Sequence, residues 1–387
     1  MISNIIPFLL FVLCFWMLAQ VDALPLKISP PHKRVLLLFA LCILMVFAGG
    51  RWSHYEVGYA LPVFDYGTYK NIYLSPLYIP DFFQEYASAG YEIKSMEPGY
   101  LLYSSLCTLL FGSHYNLYLL FTNCILIILL YKSLRNNNIK YAYFFLLFFF
   151  ASRLYFQYNF ILLRHAIALS IVWAWGFPYL VKGNRGKFFL VVFSASLFHF
   201  TALLSLLALF FNRNFNVGYF IVGFAILMVL SITGVMDSLF LSLMQHGLSV
   251  VGISDGLGEK LGKYVADDDF RKLNVLTFIE AIPFGYIAIR YRKELCSTHW
   301  GRFYHNMFYV FMLLLALTMN FGFLTRACQY FIFSYFFLLA FYFQTAKPTT
   351  EKRYFLILLS CYFLIYSVRY IFIWFYEDKY SFFLLEN

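Results

Sequence analysis

Charge is what this chain has least of. Asp, Glu, Lys and Arg together make 12% of its 387 residues, about half of the roughly 25% that soluble globular domains carry. Acids are the scarcer sign, 19 against 29 Lys and Arg. The basic surplus lies in short stretches between apolar runs rather than on one face of a domain, so no nucleic-acid partner is expected. The seven cysteines fall mostly within apolar segments, with no CxxC and no metal-ligand spacing. They read as buried thiols, and no metal site is expected. HExxH, a Walker loop, a dinucleotide fingerprint and GxSxG are all absent, which leaves an ATP-driven pump, a serine hydrolase and a cytosolic nucleotide-sugar site without support. No soluble cofactor is expected.

What is present is apolar: 62% hydrophobic residues, 23% of the chain aromatic. Runs near the 20 residues needed to cross a hydrocarbon core recur along the whole length. Lipid offers no partner for open backbone groups, so these runs must be helices. The expectation is an all-α polytopic membrane protein, one integral membrane domain over residues 1–387. The run at 2–21 lacks a basic leader and a cleavage site and reads as a retained span.

Charge distribution sets the topology. Lys27/His32/Lys33/Arg34, Lys132/Arg135/Lys140, Lys182/Arg185/Lys187, Arg213, Arg290/Arg292/Lys293/Arg302 and Lys347/Lys352/Arg353 are assigned to the cytoplasm by the positive-inside rule. Both termini then face outward. Two places require unusual elements. Residues 98–112 are too short to cross; opened by a proline and closed by a glycine, they suit a helix in the outer interface. Residues 187–211 suit a hairpin of two short helices with its apex near His199, the alternative being one tilted helix. Further spans are expected near 35–50, 115–131, 141–153, 161–181, 217–236, 275–290, 304–321, 327–344 and 354–375. The total is about twelve transmembrane or re-entrant helices, with two large outward, periplasmic loops at 51–114 and 237–274.

Ionisable groups in or near a membrane are costly and usually mark a site. Here they are Arg51, Asp65, Glu97, Arg153, Arg164, His165, His199, Glu280, Arg326 and Arg369. Arginines and histidines near one interface point to an anionic ligand, because guanidinium forks match phosphate bidentately; a lipid-linked diphosphate fits. Arg164 and His165 open the apolar stretch 166–180, and cations at a helix start oppose its dipole and call for an anionic partner. Asp65, near the start of the outer loop, is the candidate general base; its plainer reading is a turn or cap residue. Tyr69 belongs to a tyrosine group that suits sugar stacking or an interfacial belt. Arg51 also reads as a span-end anchor, and Glu97 as a helix-capping acid.

The chain resembles the EpsG family of bacterial membrane proteins. The resemblance covers most of residues 35–345 and rests on Arg51 followed by Asp65-Tyr-Gly-Thr-Tyr69, on Glu97-Pro-Gly-Tyr100, and on Arg164-His-Ala-Ile-Ala168. It rests also on Phe198-His199 with Thr201-Ala-Leu-Leu204, and on Arg326 near Tyr330-Phe331. The layout is similar to GT-C glycosyltransferases, although no second acid follows Asp65 directly. The resemblance implies a Wzy-type polymerase of the bacterial inner membrane. Such an enzyme joins undecaprenyl-diphosphate-linked oligosaccharide repeat units, donor and acceptor, into O-antigen or exopolysaccharide on the periplasmic side. Asp65 would be the base, with Arg51, Arg164, His199 and Arg326 on the leaving diphosphate. Glu97, Tyr100, Tyr69, His165 and Arg153 are candidates for substrate binding. Membrane lipid and a chain-length regulator protein are the partners this reading allows. Rival readings are a flippase for the same lipid-linked glycan and a GT-C enzyme using a polyprenyl-phosphate sugar.

An Asp65→Asn protein at normal abundance is expected to lose long polymer on a surface-polysaccharide gel. A wild-type ladder from it removes Asp65 as the base.

Overall fold

The computed structural model describes residues 2–23, 28–52, 66–90, 96–139, 142–151, 153–213, 215–236, 275–320 and 326–345, with short pieces elsewhere. The described chain is helical apart from one two-rung antiparallel pair, Arg51–Trp52 with Ser381–Phe382. Residues 53–65, Asp65 among them, and nearly all of 237–274 lie outside the described residues, as do most of 354–375 and the side chains of Arg51 and Arg153.

Among the described residues three helices are long and apolar enough to cross a membrane: Pro30–Gly49, Tyr115–Asn136 and Arg326–Thr345. A fourth crossing is available if Leu154–Ile161 and Leu163–Val181, bent by 114°, count as one span. Val217–Ile232, Phe200–Phe210, Leu9–Ala19 and Pro98–Phe111 are apolar but shorter. Helices also occupy Ala142–Ala151, Val275–Arg290 and His299–Thr318, close to the expected spans.

The helix at 98–112 forms as Pro98–Phe111, with proline in its first turn and Gly112 at φ +58° ending it, the backbone region where glycine costs least. One face is buried and hydrogen-bonded. Thr108 donates to Tyr73 O at 2.8 Å, Tyr73 donates to Gly112 O at 2.7 Å, and Ser105 accepts from Leu77 N at 3.1 Å. The other face exposes Leu102, Leu106, Leu109 and Leu110. That division is what an interfacial helix requires.

A break occurs at 197–199. Arg185–Ser196 ends there, His199 is extended, and Phe200–Phe210 continues as a 3-10 helix packed against the first. This is the hairpin rather than the single tilted helix. Eleven residues is long for 3-10 geometry, whose runs rarely pass three or four.

One expected connection is instead structured. The chain between the expected spans 141–153 and 161–181 is a helix whose last five residues, Gln157–Ile161, are π-helical. Its residues are too apolar to sit in water: Leu154, Tyr155 and Phe156 are buried. Tyr155 donates to Leu44 O at 2.5 Å, which fastens the segment to the Pro30–Gly49 helix. The direction change falls at Leu162 alone.

A second π-helical stretch, Val172–Gly176, interrupts the next helix. Its carbonyls find amide partners: Asn137 donates to Trp173 O at 2.9 Å and Asn136 to Ala174 O at 2.7 Å, while Tyr304 donates to Asn137 Oδ1. Freed backbone groups in apolar surroundings cost several kcal/mol if left alone, so side chains must take them. Close helix contacts use glycine. A Cβ at Gly49 would lie 2.8 Å from Leu120 Cα, and one at Gly301 would lie 2.1 Å from Leu295 O.

Gly301→Ala is therefore expected to lower stability by at least about 1–3 kcal/mol, the usual cost of overpacking. A thermal unfolding curve of the detergent-solubilised protein reads it directly, and an unchanged midpoint refutes the close contact.

Candidate functional site

Four helix starts meet. Glu97 is the residue before the Pro98–Phe111 helix, Arg164 and His165 stand in the first turn of the Leu163 helix, His199 precedes Phe200–Phe210, and Arg326 opens Arg326–Thr345. Each helix contributes a positive dipole end and free N–H groups, so the meeting point favours anions before any side chain is counted.

The side chains that hold this arrangement start with Glu97. Its carboxylate makes no capping bond to its own helix. Oε2 accepts from Arg164 Nη1 at 2.5 Å and Oε1 accepts from Phe200 N at 3.2 Å. Two residues on, Gly99 N donates to Leu197 O at 2.9 Å. The approach is so close that a Cβ on Gly99 would lie 2.7 Å from that oxygen. The Glu97-Pro-Gly motif is thus a clasp holding the Pro98–Phe111 helix to the hairpin apex and to the bent helix.

Arg164 is steered from its other side by Tyr69, whose ring centroid is 5.9 Å from the guanidinium carbon. Tyr69 in turn packs on Tyr100 at 5.4 Å, and Tyr100 shares a 2.7 Å hydrogen bond with Tyr118. The helix Tyr66–Leu74 therefore delivers Tyr69 to the arginine, and Asp65 is the residue immediately before that helix.

The histidines lie on the other flank. His165 and His199 rings are 4.8 Å apart, edge to face. Thr201 Oγ1 sits between them, 2.6 Å from His199 Nδ1 and 3.4 Å from His165 Nδ1, with the Tyr330 hydroxyl at 3.5 Å. His165 is 2% exposed, and among the described residues its Nε2 has no hydrogen-bond partner. Arg164, Arg326 and His199 all act on it electrostatically. Arg326 itself has neither a hydrogen bond nor an ion pair within the described residues.

The structure thus brings together Arg164, His165, His199, Arg326, Tyr69, Glu97 and Tyr100 of the residues singled out in the sequence. Tyr69 and Tyr100 are 1% and 0% exposed, so they wall the site rather than offering an open stacking surface. Asp65 and the side chains of Arg51 and Arg153 lie outside the described residues. Sequence reasoning passed over a polar layer beneath the site. Tyr158 donates to Gln329 Oε1 at 2.8 Å, Gln329 donates to Gln157 Oε1 at 2.9 Å, and Trp173 Nε1 donates to Tyr330 O at 2.8 Å. An amide inside an apolar run needs a partner, but none of these names its partner in the sequence. No group of three or more His, Cys, Asp or Glu suited to a metal occurs among the described residues.

A helical chain with several helices long and apolar enough to span a membrane, and a polar, arginine-bearing cluster among helix starts, has the make-up of a membrane protein. The model of the EpsG family matches residues 34–385, and the chain belongs to that family. The match runs past the quoted motifs and takes in both strands of the pair Arg51–Trp52 and Ser381–Phe382. Membership carries, at a coarse level, a glycosyltransferase-like polymerase activity in polysaccharide synthesis on lipid-linked saccharides. No curated protein and no solved structure matches the chain.

Gly99→Ala is expected to push Leu197 away and open the clasp. Its melting temperature should fall, and long polymer should be lost even in the fraction that stays folded. Retention of both at wild-type levels removes the clasp from the working structure.

Proposed function

We propose that this protein is the polymerase that joins undecaprenyl-diphosphate-linked repeat units into O-antigen or exopolysaccharide on the periplasmic face of a bacterial inner membrane. The architecture would be GT-C-like, with about twelve crossing or re-entrant helices. The observation that carries the reading is Arg326: a guanidinium at a helix start, beside a buried His165 and facing no anion of its own among the described residues. Two arginines and the first turns of several helices match the charge of a diphosphate better than that of a neutral sugar.

In the reaction the acceptor hydroxyl oxygen bonds to the anomeric carbon of the donor glycan. The bond between that carbon and the diphosphate oxygen breaks, its electron pair leaves with the diphosphate, and the hydroxyl proton passes to a base. Arg164 and Arg326 stabilise the charge developing on the leaving group, usually the largest single contribution to such a step. His199, fixed by Thr201, adds a donor at the same place. Asp65 is the base in this scheme; in the sequence it stands four residues before Tyr69, whose ring faces the Arg164 guanidinium. Energy comes from the diphosphate linkage, so no soluble cofactor enters. A chain-length regulator would act on the polymer after this step.

In a host deleted for the gene, Arg326→Ala at matched abundance should reduce the polysaccharide ladder to a single capped repeat unit. A rate loss of about 100-fold or more is expected for one lost charge-stabilising group. Arg326→Lys should recover only part of it, because the bidentate fork is gone. Full-length ladders from the alanine protein exclude this role. Disappearance of all surface glycan, with lipid-linked units retained inside the cell, points instead to export.

A further inference from the structure

Glu97 already stands where an outside phosphate would bind. One oxygen lies on the Arg164 guanidinium and the other on Phe200 N, the first N–H of an eleven-residue helix. A guanidinium and a helix-initial N–H are the donors that phosphate oxygens take. The pair is only partly covered, with side-chain exposures of 18% for Glu97 and 12% for Arg164, and the carboxylate's charge reaches Tyr330, whose hydroxyl meets the Thr201 that holds His199.

We propose that Glu97 is a positioning and discriminating residue, an internal counter-anion whose fixed negative charge disfavours the diphosphate product more than the diphosphate donor. This rests on the diphosphate reading above and deepens it. In the donor the diphosphate is esterified at both ends, to lipid and to sugar. When the anomeric carbon–oxygen bond breaks, the freed oxygen keeps the electron pair and the diphosphate gains one negative charge. Repulsion from a fixed carboxylate grows with the charge of the ligand. The same group that aims Arg164 therefore makes the spent lipid diphosphate the worse-held species, and release follows transfer.

Glutamine preserves shape and one acceptor oxygen while deleting the charge, so Glu97→Gln separates the two roles. Wild type, Glu97→Gln, Glu97→Asp and Arg326→Ala, each purified in lipid nanodiscs, are titrated with inorganic pyrophosphate and with orthophosphate, and assayed for polymer formation. Glu97→Gln is expected to bind pyrophosphate at least about tenfold more tightly, a change of about 1.4 kcal/mol, with a smaller gain for orthophosphate. Its KM for the donor and its kcat should both fall as product lingers. Glu97→Asp, which keeps the charge, should bind pyrophosphate like the wild type. The wild type alone supplies an independent reading: it should hold methyl diphosphate at least as tightly as the more highly charged pyrophosphate.

A folded Glu97→Gln protein with unchanged pyrophosphate affinity, alongside weakened binding by Arg326→Ala, overturns the discriminating role and leaves the diphosphate site standing. A wild-type preference for pyrophosphate over methyl diphosphate of more than tenfold overturns it as well. Pyrophosphate binding indifferent to Arg326→Ala, or absent from all four proteins, overturns both readings together.

Discussion

Three helix ends that are distant in sequence are held together through one carboxylate. Glu97 reaches 67 residues ahead to Arg164 and 103 residues ahead to Phe200 N. In water such a pair would contribute little, commonly less than about 1 kcal/mol. Inside a structure that is apolar almost everywhere, removing either partner would leave a charge without compensation, and that penalty is much larger than the value of the pair itself. The Pro98–Phe111 helix, the hairpin apex and the elbow at Leu162 are therefore fixed by the same atoms. Gly99 is small because Leu197 must come close, Tyr69 lies where it can face Arg164, and Thr201 is placed to hold His199.

The parts of the fold legible in sequence were those set by local signals. The helix from Pro98 ends where a proline start and a glycine stop placed it, and the break at His199 was forced by counting basic clusters on one side. Most apolar runs became helices within a few residues of their expected limits. Residues 153–161 were not legible because a length argument treated them as spare connection. Their actual conformation is decided by Tyr155 reaching Leu44 O, over 111 residues. Glu97 was misjudged in part for the same reason. As a cap it would have served its own helix, and only the fold reveals that its partners belong to two others.

The site was legible as chemistry and hidden as geometry. Arg164, His165, His199 and Arg326 could be named because charged side chains in apolar sequence are rare and costly. Their meeting depends on three separate helices beginning at one level, which no periodicity reports. The supporting amides were hidden for another reason. Gln157 pairs with Gln329 and Asn159 with Asn123, and each amide taken singly reads as an ordinary imperfection in an apolar run.

The π-helical stretches at Gln157–Ile161 and Val172–Gly176 set rotational phase along the bent helix. Each admits residues at a wider winding than the α-helix, so whatever follows is turned about the axis relative to an unbroken α-helix, where one residue is worth about 100°. Arg164 and His165 lie between two such phase shifts, and Trp173 lies within the second. Deleting a single residue from either stretch could be absorbed by rewinding it as ordinary α-helix, with little loss of packing length. The penalty would be angular: the Leu163 helix would remain, aimed at a different neighbour. Length variation at Gln157–Ile161 is thus a means of re-aiming Arg164 and His165 without altering any residue of the site.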